Sequence, residues 1–252
     1  MKTVIIVQAR MGSSRLPGKI LEEVAGQPLL IFQYERLSRS LKADLIVVAT
    51  TTNPLDDKVE SLCNQFGIQC FRGPEQDVLL RYRNAAEAFE ADVIVRINAD
   101  CPLIDPVEVD RVIEAWFERQ PDLDYASNIL EETFPMGMHT EVFSRTALNH
   151  AESNACNLEE REHVTPYIYR NPNLFQLYSI ANLENLSHYR WTVDYQEDLE
   201  FVRKVVEALE SNKKIFNMMD VVNLLKEHPE LMNINSCLVP QSYGVSLPQL
   251  QE

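Results

Sequence analysis

The chain has 252 residues, 45% of them hydrophobic, and a formal net charge of −15. This length suits one large α/β domain or two small ones, and the hydrophobic fraction is ordinary for a soluble globular protein. The acidic balance argues against nucleic acid as a partner, because binding a phosphate backbone needs a basic surface. No apolar run approaches the length of a membrane span, so we expect no membrane insertion.

The N-terminus lacks the basic region, apolar stretch and cleavage site of a signal peptide. The five cysteines are odd in number and have no metal-ligand spacing, which is typical of a protein in a reducing compartment. We therefore expect a cytoplasmic protein.

The first half of the chain alternates apolar runs with helical patterns, which predicts a parallel sheet flanked by helices. Buried strands are expected at Val4–Val7, Leu45–Ala49, Gln69–Phe71 and Val93–Ile97. The segments between and after them predict helices at Leu29–Ser40, at Leu55–Phe66, at Asp77–Phe89 and from Pro106 onward.

The second half predicts a mixed arrangement of strands and helices. Short strands are expected at Asp124–Ser127, Glu141–Phe143, Leu174–Ala181 and Tyr189–Val193. Helices are expected at Thr146–Ala155, Glu159–Ile168, Asp198–Leu209 and Met218–Lys226. Because no repeat or linker marks a boundary, we predict one domain over residues 1–232, with a mixed insert at about 124–182 and a loosely attached extension at 233–252.

The most informative segment is the loop that follows the first predicted strand. It carries Arg10, Arg15 and Lys19. Its glycines let backbone N–H groups approach a ligand closely, and its serine hydroxyls add donors. Three cations concentrated in one loop of an acidic chain predict a local site for a polyphosphate.

The loop is not one of the common phosphate-binding motifs. Five residues separate Gly12 from Gly18, and Ile20 follows Lys19. A Walker A motif needs four residues between the glycines and a Ser or Thr after the lysine. The G-x-G-x-x-G dinucleotide fingerprint is also missing.

The run Ala-Arg-Met-Gly-Ser-Ser-Arg-Leu-Pro-Gly-Lys, which begins at Ala9, resembles the N-terminal signature of the sugar-acid cytidylyltransferases. This group includes the CMP-Kdo and CMP-sialic acid synthetases, and the run is most similar to the related spore-coat polysaccharide biosynthesis protein F family. The resemblance implies a GT-A-like, Rossmann-like nucleotide-diphospho-sugar transferase fold, with a mixed sheet flanked by helices and CTP beside the loop. The nucleotide-binding residues that it implies are Ala9, Arg10, Gly12, Ser13, Ser14, Arg15, Lys19, Arg72, Asp77, Asn98 and Asp100.

Two aspartates, Asp100 and Asp194, follow predicted strands. A carboxylate at the end of a parallel strand can hold a hard cation, but the spacing alone equally allows Asp100 to cap the next helix, and Asp194 to act as a plain N-cap. The segments Arg96–Asp105 and Arg190–Leu199 resemble the family's Arg-x-x-Gly-Asp-Cys-Pro and Thr-Val-Asp-x-x-x-Asp-Leu elements. The resemblance implies that both aspartates bind Mg²⁺. Ala99 stands where the family has glycine.

The segment Arg72–Tyr82 resembles the family's Gly-x-x-x-Asp-Val-Leu-x-Arg element. The resemblance implies that Arg72 and Asp77 border the base and ribose of the nucleotide. Asp77 and Arg81 are one helical turn apart, so we also expect them to pair.

The candidate acceptor-binding residues are Asn128, His139, Glu141, Arg161 and His163. The segment around His139 and Glu141 resembles the family's Pro-x-Gly-x-Asp-x-Glu-Val-Phe element, with histidine in place of the first aspartate. A histidine there titrates near neutrality and indicates either a changed acceptor pocket or a peripheral position. Arg161 and His163 match the spore-coat family and could hold an acceptor carboxylate, whereas the residues alone favour a solvated helix.

These observations predict a Mg²⁺-dependent cytidylyltransferase that joins CTP to a small acidic sugar, releases pyrophosphate and serves surface polysaccharide or glycan synthesis. The expected catalytic residues are Lys19, Arg10, Arg15 and Asp100. One rival is a GT-A-type glycosyltransferase, or a nucleotidyltransferase that uses a sugar phosphate. The other is a non-catalytic nucleotide-binding protein, which only Ala99 and His139 support. The resemblance adds a homodimer to the expected assemblies, with no interface indicated by the sequence.

Overall fold

The structure, a computed structural model, describes residues 1–210 and 215–238. Its centre is a seven-stranded sheet in the order β5-β4-β1-β6-β8-β7-β9, accompanied by a separate hairpin of β2 and β3. The strands are β1 (Thr3–Gln8), β2 (Glu23–Val24), β3 (Gln27–Pro28), β4 (Leu45–Thr51), β5 (Gln69–Gly73), β6 (Val93–Asn98), β7 (Tyr125–Ser127), β8 (Glu141–Ser144) and β9 (Leu177–Ser179).

Helices cover both faces of this sheet. They are α1 (Leu29–Leu37), α2 (Asp57–Phe66), α3 (Val78–Ala88), α4 (Pro106–Phe117), α5 (Arg145–Asn154), α6 (Leu158–His163), α7 (Pro166–Tyr169), α8 (Gln196–Glu210) and α9 (Met218–Glu227). Alternate residues of β1 enter opposite cores, as expected for a central strand. Ile5 and Val7 pack with residues of α1, α4, α8 and α9, whereas Val4 and Ile6 pack with residues of α3 and α5.

The predicted parallel sheet is confirmed for the first half of the chain. β1 pairs in parallel with β4 and β6, and β4 pairs in parallel with β5. The second half is mixed, as expected, because β8 runs antiparallel to both β6 and β7, while β9 runs parallel to β7. β1, β4 and β6 are almost wholly buried, which explains why their sequences are continuous apolar runs rather than alternating ones.

The predicted strand at Tyr189–Val193 is wrong. Only one isolated bridge forms there, between Met136 and Arg190. The N–H of Trp191 donates to the carbonyl of Met136 at 2.7 Å, and the N–H of Val193 donates to the carbonyl of Asp100 at 2.8 Å. The segment therefore links two different loops instead of pairing with one neighbouring strand.

The single helix predicted over Glu159–Ile168 is also wrong, because it is divided into α6 and α7. Val164 has a φ of 73°, a left-handed conformation that ends α6. Pro166 then begins α7, since proline has no N–H for the turn before it but fits the first position of a helix. The strand expected at Leu174–Ala181 is confined to β9.

Of the predicted C-terminal extension, residues 239–252 lie outside the described part of the chain. Asn235, which the structure does describe, is 6% exposed, and its Nδ2 donates to the carbonyl of Arg190 at 3.1 Å. None of the described helices combines the length and apolar character needed to cross a lipid bilayer.

Candidate active site

A cleft of about 440 Å³ opens at the carboxyl ends of β1 and β6. This edge is where open α/β sheets bind their ligands. The first loop, the starts of α3 and of the segment after β6, the end of α6 and residues 190–194 all contribute to its walls. The predicted site residues that line it are Ala9, Arg10, Ser13, Ser14, Arg15, Lys19, Asn98, Asp100, His163 and Asp194.

The first loop is held by hydrogen bonds that its backbone N–H groups donate to Asp56 and to another residue of the loop. Asp56, which is 2% exposed, accepts from the N–H of Met11 at 2.7 Å and from the N–H of Thr51 at 3.3 Å, so it ties the loop to the end of β4. The N–H of Gly18 donates to the carbonyl of Met11 at 3.0 Å and closes the loop. Gly18 has a φ of 75°, which glycine adopts at little cost, and it leads directly into Lys19.

Lys19 is the centre of the site. Its Nζ lies 2.8 Å from Oδ2 of Asp100 and 2.9 Å from Oδ1 of Asp194, and the residue is only 7% exposed. Burial opposes the charge of Lys19, yet the two carboxylates raise its pKa above the ordinary value. Lys19 therefore remains a cation, and we call these three residues the Lys19 cluster.

Asp194 is held by more than one cation. Arg15 Nη2 lies 2.8 Å from its Oδ1, and Arg190 Nη2 lies 3.2 Å from its Oδ2. Burial acts to raise the pKa of Asp194, but Lys19, Arg15 and Arg190 lower it below the ordinary value. Asp194 is therefore a carboxylate in the neutral pH range.

Asp198 is fully buried and holds both Arg190 and the backbone of Asp194 in place. It accepts from Arg190 Nε and Nη2 at 2.9 Å each, and from the N–H groups of Asp194 at 3.0 Å and Tyr195 at 3.1 Å. Asn235 Nδ2 adds a further donor at 3.0 Å. A single buried carboxylate thus orients both Arg190 and the backbone that carries Asp194.

Asp100 and Asp194 are the residues of the site best suited to hold a metal. Their carboxylate oxygens lie within 2.9 Å of the same ammonium nitrogen, which places two hard oxygen ligands together. Over residues 1–210 and 215–238, no group of three or more His, Cys, Asp or Glu side chains forms a metal cage. A pair of carboxylates fits Mg²⁺, which usually takes its other ligands from water and substrate phosphates.

Sequence reasoning singled out Asn98 on the cleft floor but missed its neighbour Gln8. The two residues are register partners on β6 and β1, and their side-chain oxygens are buried with no hydrogen-bond partner among the described residues. Arg81, Arg96 and Arg190 also line the cleft. Arg96 and Arg190 are the first residues of the segments that carry Asp100 and Asp194. A charged residue within an otherwise apolar stretch was the sequence signal that could have identified them as cleft residues.

Several predicted site residues lie outside the cleft lining: Gly12, Arg72, Asp77, Asn128, His139, Glu141 and Arg161. Arg72 Nη1 pairs with Asp57 at 2.7 Å and with Glu60 at 3.0 Å. Its Nε also donates to the carbonyl of Thr51 at 2.8 Å. The guanidinium thus joins the end of β4 to α2.

The expected pairing of Asp77 with Arg81 is wrong. Asp77 caps α3 by accepting from the N–H of Leu80 at 2.9 Å, and its carboxylate forms an ion pair with Arg161. Arg161 also pairs with Glu152 at 3.1 Å. The sequence predicted that Arg161 binds the carboxylate of the acceptor. In the structure the carboxylates of Asp77 and Glu152 already pair with this guanidinium.

The other acceptor candidates act inside the fold. Asn128 Nδ2 donates to the carbonyl of Met138 at 2.8 Å, and its Oδ1 accepts from the N–H of Thr140 at 2.8 Å. Glu141 is 2% exposed and pairs with Arg96. Burial lowers the pKa of His139 to about 4, so the expectation that it titrates near neutrality is wrong.

Comparison with known proteins identifies the family to which this chain is similar. The cytidylyltransferase family profile matches residues 4–232. The spore coat polysaccharide biosynthesis protein SpsF of Bacillus subtilis is 32% identical over 234 residues, which cover 90% of this chain and 95% of that protein. The 3-deoxy-manno-octulosonate cytidylyltransferase of Chloroherpeton thalassium is 29% identical over 191 residues, covering 69% of this chain and 76% of that protein.

A solved structure gives the same result. A cytidylyltransferase from Leptospira borgpetersenii superposes with a TM-score of 0.88 at 35% identity, and the match covers 92% of this chain and 96% of that one. The chain therefore has the Rossmann-like fold of the nucleotidyltransferases. With a family profile that spans nearly the whole described structure, the chain belongs to the cytidylyltransferase family.

Proposed function

We propose that this nucleotidyltransferase transfers CMP from CTP to a hydroxyl group of a small acidic sugar, with Mg²⁺ as cofactor, and releases pyrophosphate. The observation that carries the proposal is the Lys19 cluster, in which a buried ammonium and two carboxylates meet beside an open loop. The relatives support the acceptor class, because one is named a 3-deoxy-manno-octulosonate cytidylyltransferase and another a spore coat polysaccharide biosynthesis protein. The same names support a role in surface polysaccharide or glycan synthesis.

The first loop supplies charge for the triphosphate. Arg10 is exposed and makes no ion pair with any described residue, while the side chain of Arg15 is 37% exposed. Lys19 is held rigidly by its two carboxylates. In transfer of a nucleotidyl group, negative charge develops on the leaving pyrophosphate, and cations fixed in advance stabilise it more than mobile ones do.

The two aspartates supply the metal site of the proposal. Asp100 and Asp194 would hold Mg²⁺, which when bound neutralises phosphate charge and lowers the pKa of the acceptor hydroxyl. Asp198 orients Arg190 and the backbone of Asp194, while Lys19, Arg15 and Arg190 lower the pKa of Asp194 and keep it ionised. The protein's own contribution is thus to place two carboxylates and three cations before the substrates arrive.

Most of the predicted acceptor residues do not line the cleft. Among the predicted acceptor residues, His163 lines the cleft beside Glu162. Arg161 is held by Asp77 and Glu152, and Asn128 holds the turn before β8. We therefore propose that His163 contacts the sugar acid directly and that the others support the walls behind it.

The proposal is tested by measuring pyrophosphate release from each of the four nucleoside triphosphates, with Mg²⁺ and a panel of keto-sugar acids. We expect release from CTP that depends on one of the acids and is lost in Asp100→Asn. Lys42→Ala is the matched control for surface charge, because Lys42 pairs with Glu114 at 2.7 Å on the exposed face. Release of a nucleoside diphosphate, or a requirement for a sugar 1-phosphate, would contradict the proposal.

A further inference from the structure

Val164, between α6 and α7, has a backbone conformation that its residue type strongly disfavours. Its φ is 73° and its ψ is −57°, and the N–H of Thr165 donates to the carbonyl of His163 at 2.9 Å. This combination is a γ-turn of the rare, strained kind. A β-branched residue at positive φ is an outlier, because its Cβ crowds the neighbouring peptide groups. The surrounding structure must therefore hold this turn in place.

The other non-glycine residues with a positive φ have ordinary explanations. Among the described residues they are Ala25, at 51°, and Glu90, at 53°. Ala25 and Gly26 form the two-residue connection of the β2–β3 hairpin, where a positive φ is the usual conformation. Glu90 is exposed and follows the end of α3, where a left-handed residue commonly ends a helix. Val164 also follows a helix, but its ψ is not that of the usual left-handed cap, and the residue is fully buried.

The side chain of Val164 anchors this turn in the core. It is fully buried in the cluster on the side of the sheet that α3 and α5 cover. Three positions earlier, the guanidinium of Arg161 forms an ion pair with Asp77, which caps α3. Residues three positions apart lie on the same face of a helix. The face of α6 that carries Arg161 and Val164 is therefore fastened to α3 and to the core.

The two residues between these anchors line the cleft. Glu162 and His163 are both exposed, and both contribute to the cleft wall. His163 directly precedes Val164, and its carbonyl accepts the hydrogen bond that closes the γ-turn. The two residues share one peptide group, so a rotation that relieved the strain at Val164 would move that group and turn His163 relative to the cleft.

We propose that Val164 is a positioning residue, whose buried side chain holds the strained turn and thereby directs His163 toward the acceptor sugar. This inference rests on the proposed function, in which His163 contacts the sugar acid. Strained backbone persists where the surrounding structure fixes it, and such residues cluster at binding and catalytic sites. The inference accounts for a valine at a position where glycine would adopt the same torsions without strain.

The test is a double-mutant cycle of Val164→Ala and His163→Ala, with the KM for the sugar acid as the readout. Each single variant should raise this KM by about three- to tenfold, the effect of losing one hydrogen bond, and should leave the affinity for CTP, measured by calorimetry, unchanged. The double variant should be no worse than His163→Ala, because Val164 acts through His163. Val47→Ala is the matched control, since it removes the same two methyl groups from a fully buried valine of the same core and should leave the KM unchanged.

The strain at Val164 has a readout that does not need the reaction. Glycine adopts a positive φ freely, so Val164→Gly should have a Tm equal to or above that of Val164→Ala, although it buries one carbon atom less. Ala151→Gly, in the interior of α5, should show the opposite order, because glycine at an ordinary helical position lowers the Tm. A Tm of Val164→Gly well below that of Val164→Ala would overturn the inference.

The position of His163 can also be followed without an acceptor, by proton NMR of its imidazole C2 proton, identified by its loss in His163→Gln. Addition of CTP should shift this signal in the wild-type protein and in Val47→Ala, and should shift it less in Val164→Ala. This difference in a protein that transfers no CMP would support the inference and contradict the proposed reaction. The same shift in all three proteins would overturn the inference.

The cycle itself can also contradict the inference. Additive effects of Val164→Ala and His163→Ala on the KM would overturn it, and so would an equal rise of the KM in Val47→Ala. If Val164→Ala does not fold, Val164→Gly takes its place in the cycle, because it lacks the same buried anchor and carries no strain.

Discussion

Replacing Lys19 with methionine removes the central charge of the site and keeps the length of the side chain. The ammonium is the shared partner of Asp100 and Asp194, at 2.8 Å and 2.9 Å. Asp194 would keep Arg15 and Arg190, whereas Asp100 has no other ion-pair partner among the described residues. The variant therefore leaves the partly buried carboxylate of Asp100 without a cation to pair with.

The size of the effect follows from this geometry. Removing one partner of a fully buried ion pair costs about 3–5 kcal/mol. The side chain of Asp100 is 26% exposed, so water compensates part of the loss, and we expect the free energy of unfolding to fall by about 1–3 kcal/mol. For a chain of this size that corresponds to a decrease in Tm of roughly 2–12 °C. Turnover should fall by about 10²–10³-fold, the usual loss for one preorganised charge-stabilising group.

The assay is pyrophosphate release from CTP at 25 °C, together with thermal unfolding followed by circular dichroism. Lys42→Met, a lysine paired on the surface, is the control and should retain both activity and Tm. Full turnover in the Lys19 variant would refute the reasoning. A loss of activity that matched the fraction of unfolded protein would refute it as well, because the effect would then be on stability alone.

Three further predictions follow from the charges around the site. Asp198→Asn places an amide donor opposite the guanidinium of Arg190 and the N–H of Asp194, so it should lower the free energy of urea unfolding by about 3–5 kcal/mol; a loss below about 1 kcal/mol would contradict this role. The pKa of His139 is about 4 in the folded chain against 6.5 for the ordinary side chain, so the unfolded chain binds more protons between these values and stability falls as the pH drops through them. At pH 5 this costs about 2 kcal/mol, and His139→Gln should remove it; the same pH dependence in both proteins would argue against it. Treatment with EDTA should stop CTP turnover, added Mg²⁺ should restore it, and turnover that persists in EDTA would exclude the metal site.

The strands of the first half could be predicted because they are buried on both faces. β1, β4 and β6 are continuous apolar runs, and such runs can be read without knowing their neighbours. The segment Tyr189–Val193 is equally buried and rich in aromatic and β-branched residues, but its N–H groups bond to two separate loops. Composition predicts that a segment is buried. Whether the backbone of that segment pairs with a neighbouring strand depends on the packing of residues that are distant in sequence.

The site shows the same division. Lys19 could be singled out in the loop after the first predicted strand, and Asp100 and Asp194 after later predicted strands. Sheet order explains why Lys19 and Asp100 meet, because β1 and β6 are neighbours. Asp194, 175 residues from Lys19, is brought there by the hydrogen bonds of the preceding segment with two loops. Arg161 could not be interpreted correctly, because its partner Asp77 is 84 residues away and caps another helix. Arg81 was predicted to pair with Asp77 for the same reason, since local spacing was the only guide to its partner.

The central claim is the transfer of CMP to an acidic sugar, and phosphorus NMR of the reaction mixture tests it most directly. With CTP, Mg²⁺ and the acid that supports activity, we predict that the three triphosphate signals are replaced by one phosphodiester signal and one pyrophosphate signal in equal molar amounts. Lys42→Ala should give the same spectrum and Asp100→Asn should leave CTP intact. Signals of CDP with inorganic phosphate, or of a sugar phosphate without pyrophosphate, would contradict the account.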